Sequence, residues 1–145
     1  MAKKQETFPV SLLEELHTSG AAHDVLRYIS LPDLLGKEAS SLLYFIGRNL
    51  GRKFNIEAIE DIYYFFERTG WGKLELVKEK RNQWVFHLLA DAIVYRLQAP
   101  FETEFRLEAG FLAEAIQQIE ERECECVEKI HHKIHQIEFR IVFTG

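Results

Sequence analysis

Ile59-Glu-Asp-Ile-Tyr-Tyr-Phe-Phe-Glu-Arg-Thr-Gly-Trp-Gly-Lys-Leu-Glu-Leu-Val-Lys-Glu79 changes its hydrophobic period part-way along, and that change decides the fold class. From Ile56 to Thr69 the spacing is helical: Ile56, Ile59, Ile62, Tyr63 and Phe66 share one face, while Tyr64 and Phe65 project elsewhere. Gly70-Trp71-Gly72 ends the run. Beyond it Leu74 and Leu76 alternate with charged residues to Glu79, the two-residue period of a half-exposed strand. A helix with rings on more than one side is buried on both, lines a cavity, or meets another subunit.

Downstream of this corner the chain reads mostly as strands. Lys80-Arg81-Asn82-Gln83 predicts a turn, and Trp84, Phe86 and Leu88 alternate with Val85, His87 and Leu89 to complete a hairpin. Asp91 to Gln98 fits a short helix or a strand, and Phe101, Thr103 and Phe105 predict a further short strand. Leu107 to Arg122 is a helix with Leu107, Phe111, Leu112, Ile116 and Ile119 as its buried stripe and Ala109, Gly110 and Ala113 as a small-residue patch. Glu123 to Lys129 sets Cys124 and Cys126 on one strand face. Ile137, Phe139, Ile141 and Phe143 alternate as a half-buried antiparallel strand, with Ile130 to Ile134 as the connection.

Upstream the pattern is helical. Val10 to Leu16 puts Val10, Leu13 and Leu16 on one face and stops at Ser19-Gly20. Ala21 to Ile29 repeats the pattern with Val25, Leu26 and Ile29, and Pro32 should stop it. Glu38 to Phe54 carries Leu42, Leu43, Phe45, Ile46 and Leu50 as a broad stripe, with Ser40-Ser41 read as its cap. Gly47 and Gly51 cost that helix about 1 kcal/mol each relative to alanine, a cost that close approach of another backbone would offset. Arg48 and Arg52, also four apart, are spaced to grip an acidic group, although solvated surface arginines are the commoner outcome of such spacing. The fold expected is α+β: an N-terminal helical part packed on an antiparallel sheet, with a long helix between strands near the C-terminus. Residues 1–9 read as a flexible lead and 10–145 as one domain.

The chain's 145 residues, 47% of them hydrophobic, suit one substantial core. A net charge of -5, from 23 acidic against 18 basic residues, argues against nucleic acid and anionic lipid as partners. No apolar run is long enough for a membrane span or signal peptide. Cys124 and Cys126 are too close in sequence for an unstrained disulfide, which predicts reduced thiols and a cytoplasmic protein.

Leu31-Pro-Asp-Leu-Leu-Gly36, Gly47-Arg-Asn-Leu-Gly-Arg-Lys-Phe54, Phe65-Phe-Glu-Arg-Thr-Gly-Trp-Gly72 and Leu107-Glu-Ala-Gly-Phe-Leu-Ala-Glu-Ala-Ile-Gln117 together resemble the uncharacterised YslB-like family of Gram-positive bacteria. The plan is also similar to that of vinyl-reductase-type sensor domains, TRAPP vesicle-tethering subunits and haem nitric-oxide-binding domains. That resemblance implies a domain that binds a small molecule or forms a dimer. Haem is not implied, because the tyrosine-any-serine-any-arginine signature is missing and Tyr95-Arg96 is only a fragment of it. No cofactor is expected.

Catalytic constellations are also lacking. There is no Gly-rich phosphate loop, HExxH motif or EF-hand loop, and Glu121, Glu123, Glu125 and Glu128 around the thiols should raise their pKa. Glu123-x-x-Cys126 resembles part of a structural zinc site in some sensor domains of the fold group, and Glu123, Cys126, His132 and His135 would be its members here. Cysteines at strand spacing are more often buried small hydrophobes, so no metal is expected. The chain therefore reads as a non-catalytic binding domain for an apolar or aromatic molecule, with Phe45, Arg48, Tyr64, Phe65, Trp71, Trp84 and Tyr95 as the site. The alternative is a homodimeric interaction module that uses the same aromatic surface.

Overall fold

The computed structural model describes residues 7–15 and 20–145; Leu16, Ser19 and residues 1–6 of the expected lead lie outside them. A 3₁₀ turn at Val10–Glu15 precedes α1 (Ala21–Val25), a π-helical turn (Leu26–Ser30), α2 (Leu31–Leu35), α3 (Ala39–Arg52) and α4 (Ile59–Arg68). Next come β1 (Lys73–Glu79), β2 (Gln83–Leu89), α5 (Asp91–Gln98), α6 (Arg106–Glu120), β3 (Cys124–His131) and β4 (Gln136–Phe143). The sheet is antiparallel throughout, in the order β1-β2-β4-β3. The α+β class and the hairpin after the Gly-Trp-Gly corner are as the sequence predicts, and the ambiguous 91–98 segment is helical.

Helix α6 is the hub, with every residue from Glu108 to Ile116 buried. One side meets the sheet, whose inward residues include Phe86, Leu88, Phe139 and Ile141, and the other meets α3. The α3 contact is backbone against backbone. A Cβ on Gly110 would lie 2.0 Å from the Tyr44 carbonyl oxygen, and one on Gly47 would lie 2.2 Å from that of Leu107. The glycine spacing thus compensates its helix cost by close packing. On α4, Asp61 accepts hydrogen bonds from the N–H groups of Glu57 (3.0 Å) and Ala58 (3.2 Å) and so caps the helix start.

Five sequence expectations need correction. Pro32 does not stop the second helix; it sits in the first turn of α2, where its missing N–H costs nothing. A π turn precedes it, in which Leu31 N–H bonds Leu26 O. The stripe of Val25, Leu26 and Ile29 faces solvent, because Arg27 and Tyr28 take the inward positions. On α3 only Leu43 of the broad stripe is fully buried, while Leu42, Phe45 and Ile46 are exposed. Ser40 and Ser41 lie inside α3 and make no capping bond; Glu38 occupies the cap position.

The short strand expected over Phe101 to Phe105 is also absent: this segment has no ladder partner among the described residues, and its side chains serve other tasks. Phe105 is buried in the core, and Glu104 accepts the N–H of Arg106 (2.9 Å) at the start of α6. Near the N-terminus, Phe8 N–H bonds Lys53 O (2.7 Å) and Asn55 N–H bonds Phe8 O (3.0 Å), which ties residue 8 to the body.

Candidate functional site

The π turn buries Arg27, which is 1% exposed. Its guanidinium donates to both oxygens of Glu104 (2.8 Å each) and to Glu108 Oε2 (2.8 Å), so one cation pins the 104–108 segment to the helical corner. Burial disfavours the charge on Arg27, but Glu108 and then Glu104 outweigh that effect and raise its pKa. The sequence signal for this clamp was the pair Glu104 and Glu108, four apart across the start of α6. Their partner was hidden because Arg27 falls in a helix whose apolar residues pointed to another face.

The clamp borders a cavity of about 520 Å³. Tyr28, Pro32, Ala39 and Leu43 supply apolar wall, and Ser40, Glu102, Thr103 and Glu104 supply polar wall. The Tyr28 ring lies 5.2 Å from that of Phe101. A second, shallower space of about 310 Å³ lies where α4 meets β1, beside Tyr63 and Leu76.

Beside the first cavity is a set of buried polar atoms with no hydrogen-bond partner among the described residues: Tyr28 Oη, Asp24 Oδ1, Arg96 Nε and Arg96 Nη1. Arg96 Nη2 lies 3.1 Å from Asp24 Oδ1, an ion-pair distance without hydrogen-bond alignment. Each unsatisfied buried group of this kind costs about 1–3 kcal/mol. Burial, then Glu108, keep Tyr28 protonated against the opposing pull of Arg27. Nearby His23 has its pKa lowered by burial and then by Arg27.

The residues expected to form one aromatic pocket occupy several environments. Phe65 stacks on Phe111 at 4.1 Å and meets Trp71 edge-on at 5.4 Å within the core. Trp84 packs against Phe143 at 5.4 Å at the other end of the sheet. Tyr64 donates to Glu14 (2.9 Å), whereas Phe45 and Tyr95 project into solvent. Arg48 is committed to the α3–α6 seam. It donates to Gln117 Oε1 (2.8 Å), Cys124 O (2.9 Å) and Glu114 Oε1 (3.3 Å), and Arg52 reaches the same Glu114 oxygen at 3.3 Å. Arg48 and Arg52 thus grip an acidic group supplied by this chain. None of the expected residues lines the 520 Å³ cavity.

Cys124 and Cys126 are free and buried. Burial pushes the Cys124 thiol up to about 11 and holds that of Cys126 well above its ordinary value, so the direction matches the sequence reading while burial outranks the acidic neighbours as cause. Glu123, Cys126, His132 and His135 are not brought together. Cys126 pairs with Ile141 in mid-hairpin, and the two histidines lie beyond His131 at its tip. Among the described residues no group of three or more His, Cys, Asp or Glu is arranged to hold a metal. Among them, too, no helix is long and apolar enough to cross a membrane.

Residues 20–142 match the family model "Protein of unknown function (DUF2507)". The chain belongs to this family. It is 38% identical over 125 residues to the uncharacterized protein YslB of Bacillus subtilis, covering 86% of this chain and 84% of that protein. It is 24% identical over 123 residues to the uncharacterized protein MJ1642 of Methanocaldococcus jannaschii, covering 81% and 74% respectively. Its fold is similar to the crystal structure of a vinyl-4-reductase family protein from M. jannaschii. That similarity has a TM-score of 0.68 and 17% identity, over 94% of this chain and 88% of the other.

Proposed function

We propose that this domain binds a small molecule without transforming it, in the cavity between the π turn, the start of α3 and the 102–104 segment, and does so in the cytoplasm. The observation that carries this reading is the cavity of about 520 Å³, which lies in the 300–1,000 Å³ range of ligand pockets and combines apolar wall with a few polar groups. The likeness of fold to a vinyl-4-reductase family protein supports a ligand-binding architecture. A non-catalytic role is supported by the thiols: both are buried with raised pKa, the opposite of what a cysteine nucleophile needs.

Saturation-transfer NMR of the purified protein against a panel of small apolar and aromatic compounds tests this. Binding is expected in the parent protein and is expected to be lost in Ala39→Trp, which fills the cavity from its wall. The reading fails if no compound binds, or if Ala39→Trp binds the same compounds equally well.

A second reading, a homodimeric interaction module, is favoured by apolar side chains on the helical corner. Leu34 is 79% exposed and Phe45 61%, and Val25, Leu26 and Ile29 are exposed with them. Sedimentation velocity of the parent and Phe45→Glu separates the two. A dimer that the substitution dissociates supports assembly, and a concentration-independent monomer rejects it.

A further inference from the structure

We infer that the molecule held in this cavity is uncharged and presents a carboxamide-type group to Tyr28 and Arg96, an inference that rests on the cavity being the binding site. Tyr28 joins the two features. It lines the cavity while only 5% exposed, and its hydroxyl belongs to the orphaned polar set. Asp24 precedes it by one helical turn and pairs with Arg96, whose charge also acts on the Tyr28 hydroxyl, so this pair neighbours Tyr28 without itself lining the cavity.

The orphaned atoms define what would satisfy them. Arg96 Nε and Nη1 are obligate donors, the Tyr28 hydroxyl donates or accepts, and Asp24 Oδ1 accepts. A carbonyl oxygen answers the donors, and an amide N–H answers Asp24. Full charge of either sign is disfavoured. Asp24, Glu102, Glu104 and Glu108 place four carboxylates around two guanidinium groups, Arg27 and Arg96, which repels an anion. A cation would leave the free N–H groups of Arg96 unanswered in a buried setting. Because the orphaned atoms are closed to solvent, a turn of the Tyr28 side chain must admit the group.

The test uses four probes of one size: benzamide, benzoate, benzylamine and ethylbenzene, titrated by NMR against the full chain. Benzamide is expected to bind at least about tenfold more tightly than the other three. Tyr28→Phe and Arg96→Lys should each weaken benzamide by about three- to tenfold, the value of one buried hydrogen bond, and leave ethylbenzene unchanged. Should Arg96→Lys fail to fold, Tyr28→Phe alone decides. If benzoate or benzylamine binds as well as benzamide, the inference is overturned. It is also overturned if Tyr28→Phe leaves benzamide affinity unchanged, since the orphaned atoms are then served by buried water. Binding of ethylbenzene with no gain for benzamide sinks this inference and spares the cavity as a site. No binding by any probe removes both.

Discussion

The α3–α6 seam and the α1–α2 corner are built on opposite terms. In the seam glycines bring backbones into contact, and Arg48 donates to five residues across three elements. The corner has a π turn, a cavity, buried polar atoms without partners and apolar side chains facing outward. A fully satisfied seam has one arrangement to offer. An unsatisfied corner has room to respond to something else, which is why the proposed site lies there although the aromatic residues lie elsewhere.

The contrast can be broken most forcefully at Gly110. Gly110→Val places carbon within 2.0 Å of the Tyr44 carbonyl oxygen, and no flexible side chain is there to yield. The expected result is loss of the cooperative thermal transition, read by circular dichroism. Arg27→Met comes next: it leaves Glu108, fully buried, without its cation, and should destabilise by about 3–5 kcal/mol in urea unfolding. A loss under 1 kcal/mol would mean that the clamp contributes little.

A smaller effect is expected at His23. Its folded pKa lies below the ordinary 6.5, so the unfolded chain binds the proton more readily. The stability His23 contributes is therefore present above pH 6.5 and lost as pH falls through that value towards the folded pKa. His23→Gln should flatten the dependence of the urea midpoint on pH in that window and leave it unchanged at pH 8. Smallest of all is Leu34→Ser, at a side chain 79% exposed, which should shift stability by no more than about 0.5 kcal/mol. A larger loss measured at high protein concentration would sharpen the comparison by locating an interface on the corner.

The sequence made the seam legible and left the corner obscure, for one physical reason. Gly47, Gly51, Gly110 and the alternating strands carry their meaning in local spacing, and local spacing survives into the fold. At the corner a single long-range ion cluster overrides the local pattern. Arg27 binds residues 77 and 81 positions away and turns Val25, Leu26 and Ile29 outward. Ring count misled for a related reason. Phe65, Phe66, Trp71 and Phe111 consume one another in edge and stacked contacts, which a one-dimensional inventory of aromatics cannot reveal. Neither Tyr28 nor Arg96 stood out as a pair, since only the fold brings α5 beside Asp24.

The strand order β1-β2-β4-β3 also sets a timetable for folding. Each hairpin closes over a few residues, but β2 finds β4 only after Gln83 meets Val142 across the whole of α5, α6 and β3. Loop-closure entropy makes that central pairing the late and slow event, so until α6 docks the chain presents two half-sheets whose inner edges lack partners. Mis-association is therefore most favoured before β2 and β4 pair, and the opening for it closes when they do.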